Sequence, residues 1–400
     1  MNTQDYINRE DKFGAHNYHP LPVVLDRGEG IYVWDVEGIK YFDFLSSYSA
    51  VNQGHCHPRL VKVMTEQLSK LALTSRAFYN SRLGEWEEFM TNLFGYEKML
   101  PMNSGAEGVE TALKLARKWG YKVKGIPTDN IKIVVCNGNF HGRTITIVSM
   151  SSDPDAYSEY GPFTPGFIKI PYNDINALEN ALKSPDVAAF LVEPIQAEAG
   201  VFIPDDGYLS KSKKLCEKYN VLFIADEIQT GIGRTGKMLA CDHENVRPDI
   251  LILGKAISGG MYPVSCVLSD NEIMLTIKPG EHGSTYGGNP IAAVLAIESL
   301  KIIREEGLSE NAQKMGNVFR EEMKNFKSDF IEEVRGKGLL NAITIRPIDG
   351  KEAWDLCITM KEFGILAKPT HRHIIRYTPP LVINESQMSE ALDKIKKALR

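Results

Sequence analysis

The stretch Val221 to Met238, VLFIADEIQTGIGRTGKM, matches three motifs at once. LFIADE resembles the acidic strand end of an ATPase. Gly231, Gly233 and Gly236 spell G-x-G-x-x-G, a dinucleotide fingerprint. Gly231 to Lys237 nearly spells a P-loop, except that Met238 stands where Ser or Thr would hold magnesium. The P-loop reading fails because its glycine loop must follow a strand directly and end in a hydroxyl residue. The dinucleotide reading requires the glycines to open a crossover helix. Only residues 237–248 separate Gly236 from the next apolar run, and they include the Arg247-Pro248 break. What remains is Asp226, at the carboxyl end of a buried strand, the edge where open α/β sheets bind ligands.

Outward from this stretch, short and nearly continuous apolar runs recur: IKIVVC (131–136), VAAFLVEP (187–194), VLFIADE (221–227) and DILILGK (249–255). Strands buried on both faces of a parallel sheet have this pattern. Between them lie helical periods. In Ala106–Trp119 the residues Val109, Ala112, Leu113 and Ala116 share one face, and Tyr208–Tyr219 is a second helix. The alternation predicts an α/β fold. The last hundred residues differ, with helices over 291–306 and 311–324, short strands over 339–345 and 373–377, and a final helix over 385–399. They predict a smaller α+β domain. Near the N-terminus GIYVWD and KYFDFL flank the turn Val36-Glu37-Gly38, a hairpin.

The 400 residues carry a net charge of −5, which points to neither nucleic acid nor a membrane surface as partner. No apolar run reaches the roughly 18 residues of a membrane span. Residues 1–20 lack an apolar signal region and hold a single Arg, so a cytosolic location is expected. The six cysteines form no C-x-x-C pair. His55-Cys56-His57 reads as a turn before Pro58, since alternate residues rarely converge on one ion, and no metal is expected.

The run LILGKAISGG places Lys255 at the strand edge next to that of Asp226, among small and apolar residues. Partial desolvation lowers a lysine's pKa and frees the amine to attack a carbonyl. An acid and a lysine on neighbouring strand ends suit pyridoxal phosphate. Lys255 joins its aldehyde, Asp226 keeps its ring nitrogen protonated, and Gln229 reaches its phenolic oxygen. Ser104, Gly105 and Ala106 open the helix of MNSGAEGVETALKLARKW, where exposed backbone N–H groups and the helix dipole favour a phosphate. GNFHGRT (138–144) offers Phe140 and His141 beside the ring, with Phe140 taken as the stacking face.

The ordered runs SGAEG, GNFHGRT, VEP, ADEIQTGIGRTG, LGKAISGG and GSTYGGNP resemble the class III, or ω-amino-acid, aminotransferases over almost the whole chain. Within that family FDFLSSYSAVNQGHCHP, LTSRAFYN, RPDILILGKAISGGMYPVS and GILAKPTH are most similar to the members that act on L-ornithine. The resemblance implies a type I aminotransferase fold: a large, mostly parallel sheet domain with helices on both faces (49–290), a small α+β domain (291–400), and an N-terminal segment (1–48) packed with the small domain and the active site. It implies a homodimer in which Ser284 and Thr285 of one subunit reach the phosphate bound by the other.

The implied donor is the δ-amine of L-ornithine and the implied acceptor is 2-oxoglutarate, in a ping-pong cycle with Lys255 as general base and acid. Arg143 is expected to hold the ornithine α-carboxylate, Tyr18 its α-amino group, and Tyr48 the pocket border that favours ornithine. Arg376 is expected to bind 2-oxoglutarate or glutamate. Glu198 pairs with Arg376 when ornithine is bound and swings away for the acid substrate, and Glu193 supports this network near the ring. One departure is His141, where some relatives carry Trp. Action on 4-aminobutyrate or N-acetylornithine stays open at this point, as does nucleotide binding by the glycines.

Overall fold

The four continuous apolar runs lie side by side in one sheet. The computed structural model describes all 400 residues, Met1–Arg400. Its large sheet has seven strands in the order Lys98–Met102, Ser265–Ser269, Ile250–Leu253, Leu222–Asp226, Val187–Val192, Lys132–Cys136, Phe167–Ile170. The last five are mutually parallel. Ser265–Ser269 runs antiparallel to both its neighbours. Every residue of Val187–Val192, Leu222–Asp226 and Ile250–Leu253 is buried, as continuous apolar runs require.

Side chains alternate between two covering layers. Ile133, Val135, Leu191, Ile224 and Ile252 pack on the helix Gly105–Trp119. Val134, Phe190, Val192 and Phe223 pack on the helices Ile175–Leu182 and Tyr208–Lys218. Residues 231–236 form turns, and Ala240–Glu244 is a single 3-10 turn, so no crossover helix follows the glycines.

Two smaller sheets flank this one. In the first, Leu25–Glu29, Tyr32–Asp35 and Lys40–Asp43 form an antiparallel meander. The Asp35 carboxylate closes its hairpin, accepting from the Glu37 and Ile39 N–H groups and from the Tyr41 hydroxyl. Ile365–Leu366 then pairs parallel with Lys40–Asp43, so distant parts of the chain complete this sheet. The second is antiparallel, in the order Ile331–Lys337, Leu340–Ile345, Ile374–Tyr377, Lys368–Thr370. One apolar core joins Phe42 and Phe44, Ile343 and Tyr377, and Leu251 and Leu253 of the large sheet, across the helices Pro290–Glu305 and Leu308–Asn325.

The closest approach between these parts is at two glycines. Gly316 lies in the helix Leu308–Asn325, and a Cβ there would sit 1.7 Å from the Gly338 carbonyl oxygen. Gly338 turns the hairpin between Ile331–Lys337 and Leu340–Ile345 at φ +56°, and its own Cβ would sit 2.3 Å from the Thr235 carbonyl carbon. Overpacking of this kind costs about 1–3 kcal/mol or more. Gly316→Ala is therefore expected to lower the unfolding free energy by at least that cost, read as a lower urea midpoint at an unchanged m-value; an unchanged midpoint would show that helix and hairpin separate freely.

Candidate active site

The carboxyl edge of the large sheet gathers its charged groups in sequence order. The strand Ile250–Leu253 ends at Gly254, and Lys255 follows with φ +45°, opening the short turn Lys255–Ser258. Burial pushes its ammonium down to about 8; Glu198 opposes that fall and Arg376 adds to it. The amine is thus partly neutral near physiological pH, as a nucleophile for a carbonyl must be.

Asp226 ends the neighbouring strand and is buried. One carboxylate oxygen accepts from the Ile228 N–H at 3.1 Å. The other lies 2.7 Å from His141 Nδ1. Burial works against charge on His141, but the Asp226 hydrogen bond outweighs it and raises the imidazole pKa. His141 is therefore first the partner of Asp226, a role that FHG did not reveal. Its Nε2 is buried with no partner. Glu193, just past Val187–Val192, accepts the Phe140 N–H at 2.8 Å. Burial, against the pull of His141, pushes its carboxyl up to about 8.

The helix Gly105–Trp119 begins at the same edge. Ser104 caps it through the Glu107 N–H, and the Glu107 carboxylate returns to the Asn103 and Ser104 N–H groups. This leaves Gly105 and Ala106, whose first-turn N–H groups have no intrahelical acceptor. The loop carrying Phe140 and Arg143 presses on this start. Gly142 has φ +132°, and a Cβ there would meet Ala106 Cβ at 2.9 Å. Arg143 is exposed, lies 5.4 Å from the Phe140 ring centre, and has no carboxylate partner in the chain.

A second charged pair faces the first. Arg376, on Ile374–Tyr377, is 3% exposed and meets Glu198 at 2.7 Å. Gln229 also donates to Glu198, at 3.1 Å. Burial raises the Glu198 pKa, but Arg376 and Lys255 reverse this, so its carboxyl stays below the usual range and ionised at neutral pH. The Tyr48 ring centre is 5.1 Å from the Arg376 guanidinium. Burial raises the Tyr48 phenol, with Arg376 opposing. Tyr18 is 70% exposed at the rim.

Ser284 accepts from Asn103 Nδ2 of its own chain at 2.8 Å, beside the helix start, while Thr285 is exposed. His55 and His57 face separate carboxylates, Asp43 and Glu306.

Arg234 was missed in the sequence. It belongs to the glycine run, is fully buried, and has no carboxylate partner. It donates to the Leu339 carbonyl at 2.9 Å, the Pro379 carbonyl at 2.7 Å and Asn52 Oδ1 at 2.5 Å. The glycines at 231–236 therefore shape a loop that pins the small sheet to the large one.

The buried, partly neutral Lys255, the buried Asp226 on the next strand and the open helix start fit pyridoxal phosphate. The model for the family described as aminotransferase class-III matches residues 13–399. The chain is 61% identical to the mitochondrial ornithine aminotransferase of Drosophila melanogaster over 98% of this chain and 90% of that one. It superposes on the ornithine aminotransferase of Toxoplasma gondii ME49 with a TM-score of 0.98 at 46% identity, covering 100% and 95% of the two chains. It is also similar to the acetylornithine aminotransferase of Elizabethkingia anophelis, with a TM-score of 0.92 at 59% identity, covering 100% and 99%.

The chain belongs to the class III aminotransferases. It is a transaminase that works with pyridoxal phosphate on a fold of type I. The cytosolic expectation is overturned: a relative 61% identical is named a mitochondrial enzyme. The pattern of residues 1–20 did not fix the compartment.

Covalent uptake of pyridoxal phosphate by the apo protein requires the neutral Lys255 amine. Its rate, followed by visible absorbance, is expected to rise with pH through a midpoint near 8, since burial lowers the amine to about that value. A midpoint at the ordinary lysine value of 10.5 would contradict the assignment of Lys255.

Proposed function

We propose that this chain is an ornithine δ-aminotransferase. It moves the δ-amino group of L-ornithine to 2-oxoglutarate, giving L-glutamate 5-semialdehyde and L-glutamate in two alternating half-reactions. The observation that carries this reading is the Glu198–Arg376 pair at 2.7 Å beside Lys255, with Arg143 left unpaired across the site. The names borne by the Drosophila and Toxoplasma relatives agree with it.

Bound pyridoxal phosphate supplies an aldehyde for the amine and a ring that withdraws electrons from the reacting carbon. Asp226, hydrogen-bonded to His141, would hold the ring nitrogen, and Gln229 would hold the phenolic oxygen. Phe140 and His141 would border the ring. The N–H groups of Gly105 and Ala106, with Ser104, would hold the phosphate. Lys255 Nζ takes the proton from ornithine Cδ and returns it at the far end of the shift.

Arg143 takes the α-carboxylate of ornithine as a bidentate pair. Tyr18 contacts the α-amino group, and Tyr48 borders the pocket. Ornithine has no second carboxylate, so Arg376 stays masked by Glu198, with Glu193 supporting the network. 2-Oxoglutarate brings a carboxylate that displaces Glu198 and takes Arg376. Arg376 thus has a carboxylate partner in both half-reactions, Glu198 in one and 2-oxoglutarate in the other.

The reading includes a homodimer in which the partner subunit's Ser284 and Thr285 complete the phosphate site. Phe78, Tyr79 and Tyr286 support it, since they are 73%, 100% and 51% exposed and offer apolar surface to a second copy. The proposed division is 1–48, 49–290 and 291–400, with the N-terminal segment packed on the small domain.

Kinetics on a donor panel test the substrate. L-Ornithine is expected to exceed 4-aminobutyrate and N-acetylornithine in kcat/KM by about a hundredfold or more, given what a buried polar contact contributes to discrimination. A preference for N-acetylornithine would move the assignment to that substrate. Glu198→Gln unmasks Arg376 and is expected to lower kcat/KM for ornithine by about tenfold or more, the cost of an unpaired charge. It is expected to spare KM for 2-oxoglutarate, and equal losses for both substrates would contradict the masking role.

A further inference from the structure

Between the strand Lys40–Asp43 and Asn52 the chain makes one turn of left-handed helix. Ser46, Ser47, Tyr48 and Ser49 have φ of 48°, 50°, 59° and 70°. None is glycine. Each L-residue in a left-handed helix costs about 1–2 kcal/mol, and such a conformation persists only where its surroundings over-determine it.

The surroundings do so from three sides. Asp43 Oδ1 accepts the Leu45 and Ser46 N–H groups, both at 2.8 Å, and Asp43 Oδ2 lies 2.7 Å from His55 Nε2. Thr378 donates its N–H to the Phe44 carbonyl at 2.7 Å and its hydroxyl to the Leu45 carbonyl at 2.9 Å. Behind the turn, Asn52 donates to the Ile232 carbonyl at 2.8 Å and accepts from Arg234. Within the turn the Ala50 and Val51 N–H groups donate to the Ser46 carbonyl at 2.8 and 3.1 Å, while the Ser46 and Ser49 hydroxyls are buried with no partner, so the side chains of the turn add no hydrogen bond to those of its backbone and frame.

The turn carries Tyr48, whose ring faces the Arg376 guanidinium at 5.1 Å. Thr378, which fixes the start of the turn, lies two residues beyond Arg376 on the same chain segment. The segment that places Arg376 therefore also places the tyrosine opposite it.

We propose that the left-handed turn Ser46–Ser49 sets substrate specificity, with Asp43 and Thr378 as positioning residues that act through it. The turn fixes the Tyr48 ring against the Arg376 guanidinium, and the position of that ring decides which ω-amino acid fits the pocket it borders. This rests on the reading of Tyr48 as the border of the donor pocket given above.

Ser47 allows a direct test, because its side chain is exposed and only its backbone matters to the turn. Valine is β-branched and strongly disfavours positive φ, whereas glycine adopts it freely. The readout is the ratio of kcat/KM for L-ornithine to that for 4-aminobutyrate, on holoenzyme whose visible cofactor absorbance matches the parent. Ser47→Val is expected to lower the ratio by about tenfold, and Ser47→Gly to hold it within about threefold. Thr378→Val, which removes only the hydroxyl bond to Leu45, is expected to lower it too, and it carries the test if Ser47→Val does not fold. Tyr48→Ile separates the two levels of the argument. If it alters the ratio while folded Ser47→Val and Thr378→Val keep the parent value, the turn inference is overturned and the reading of Tyr48 stands. If Tyr48→Ile also keeps the parent ratio, both fall.

Discussion

The site depends on one constraint: a carboxyl group at the end of a buried strand must find its partners inside the protein. Asp226 ends a strand with no exposed residue, where a lone charge costs several kcal/mol. It is held there by the His141 imidazole and the Ile228 N–H. The same burial acts against charge on its neighbours. It keeps Glu193 protonated up to about 8 and lowers Lys255 to about 8. One low-dielectric edge thus produces a neutral acid and a reactive amine beside the hydrogen-bonded Asp226, with burial the largest cause of both shifts.

The second charged pair is placed by a different device. Arg376 lies on the small sheet and Glu198 in the turn beyond the strand Val187–Val192 of the large one, so they meet only if the two sheets are registered to each other. Arg234 provides the register, with its guanidinium spent on the Leu339 and Pro379 carbonyls and on Asn52. Gly338 brings the hairpin of the small sheet onto the same loop. Loss of Arg234 would leave buried carbonyls unsatisfied on three chain segments and shift Arg376 away from Lys255.

The sequence made the buried half of the large sheet legible because strands covered on both faces must be apolar throughout. Asp226 and Lys255 stood out for the same reason, as charged residues ending such runs. Lys98–Met102 was not foreseen: it is an edge strand that contains Pro101, which breaks the pattern. Ser265–Ser269 was missed because serines close both its ends, although it is fully buried. The bond between His141 and Asp226, the pin at Arg234 and the left-handed turn at Ser46–Ser49 join residues far apart in sequence or depend on backbone angles. Local patterns carry neither kind of information. The choice of Phe140 and His141 beside the ring came from the motif, while the role of His141 in holding Asp226 needed the fold.

The central claim is that this buried edge binds pyridoxal phosphate through Lys255 and cycles it between two substrates. The most direct test is the visible absorbance of the reconstituted protein as L-ornithine and then 2-oxoglutarate are added, with Lys255→Ala alongside. The account predicts a band that bleaches with ornithine alone, returns with 2-oxoglutarate, and does not cycle in Lys255→Ala. A band unmoved by ornithine, or one that cycles equally well without Lys255, would contradict it.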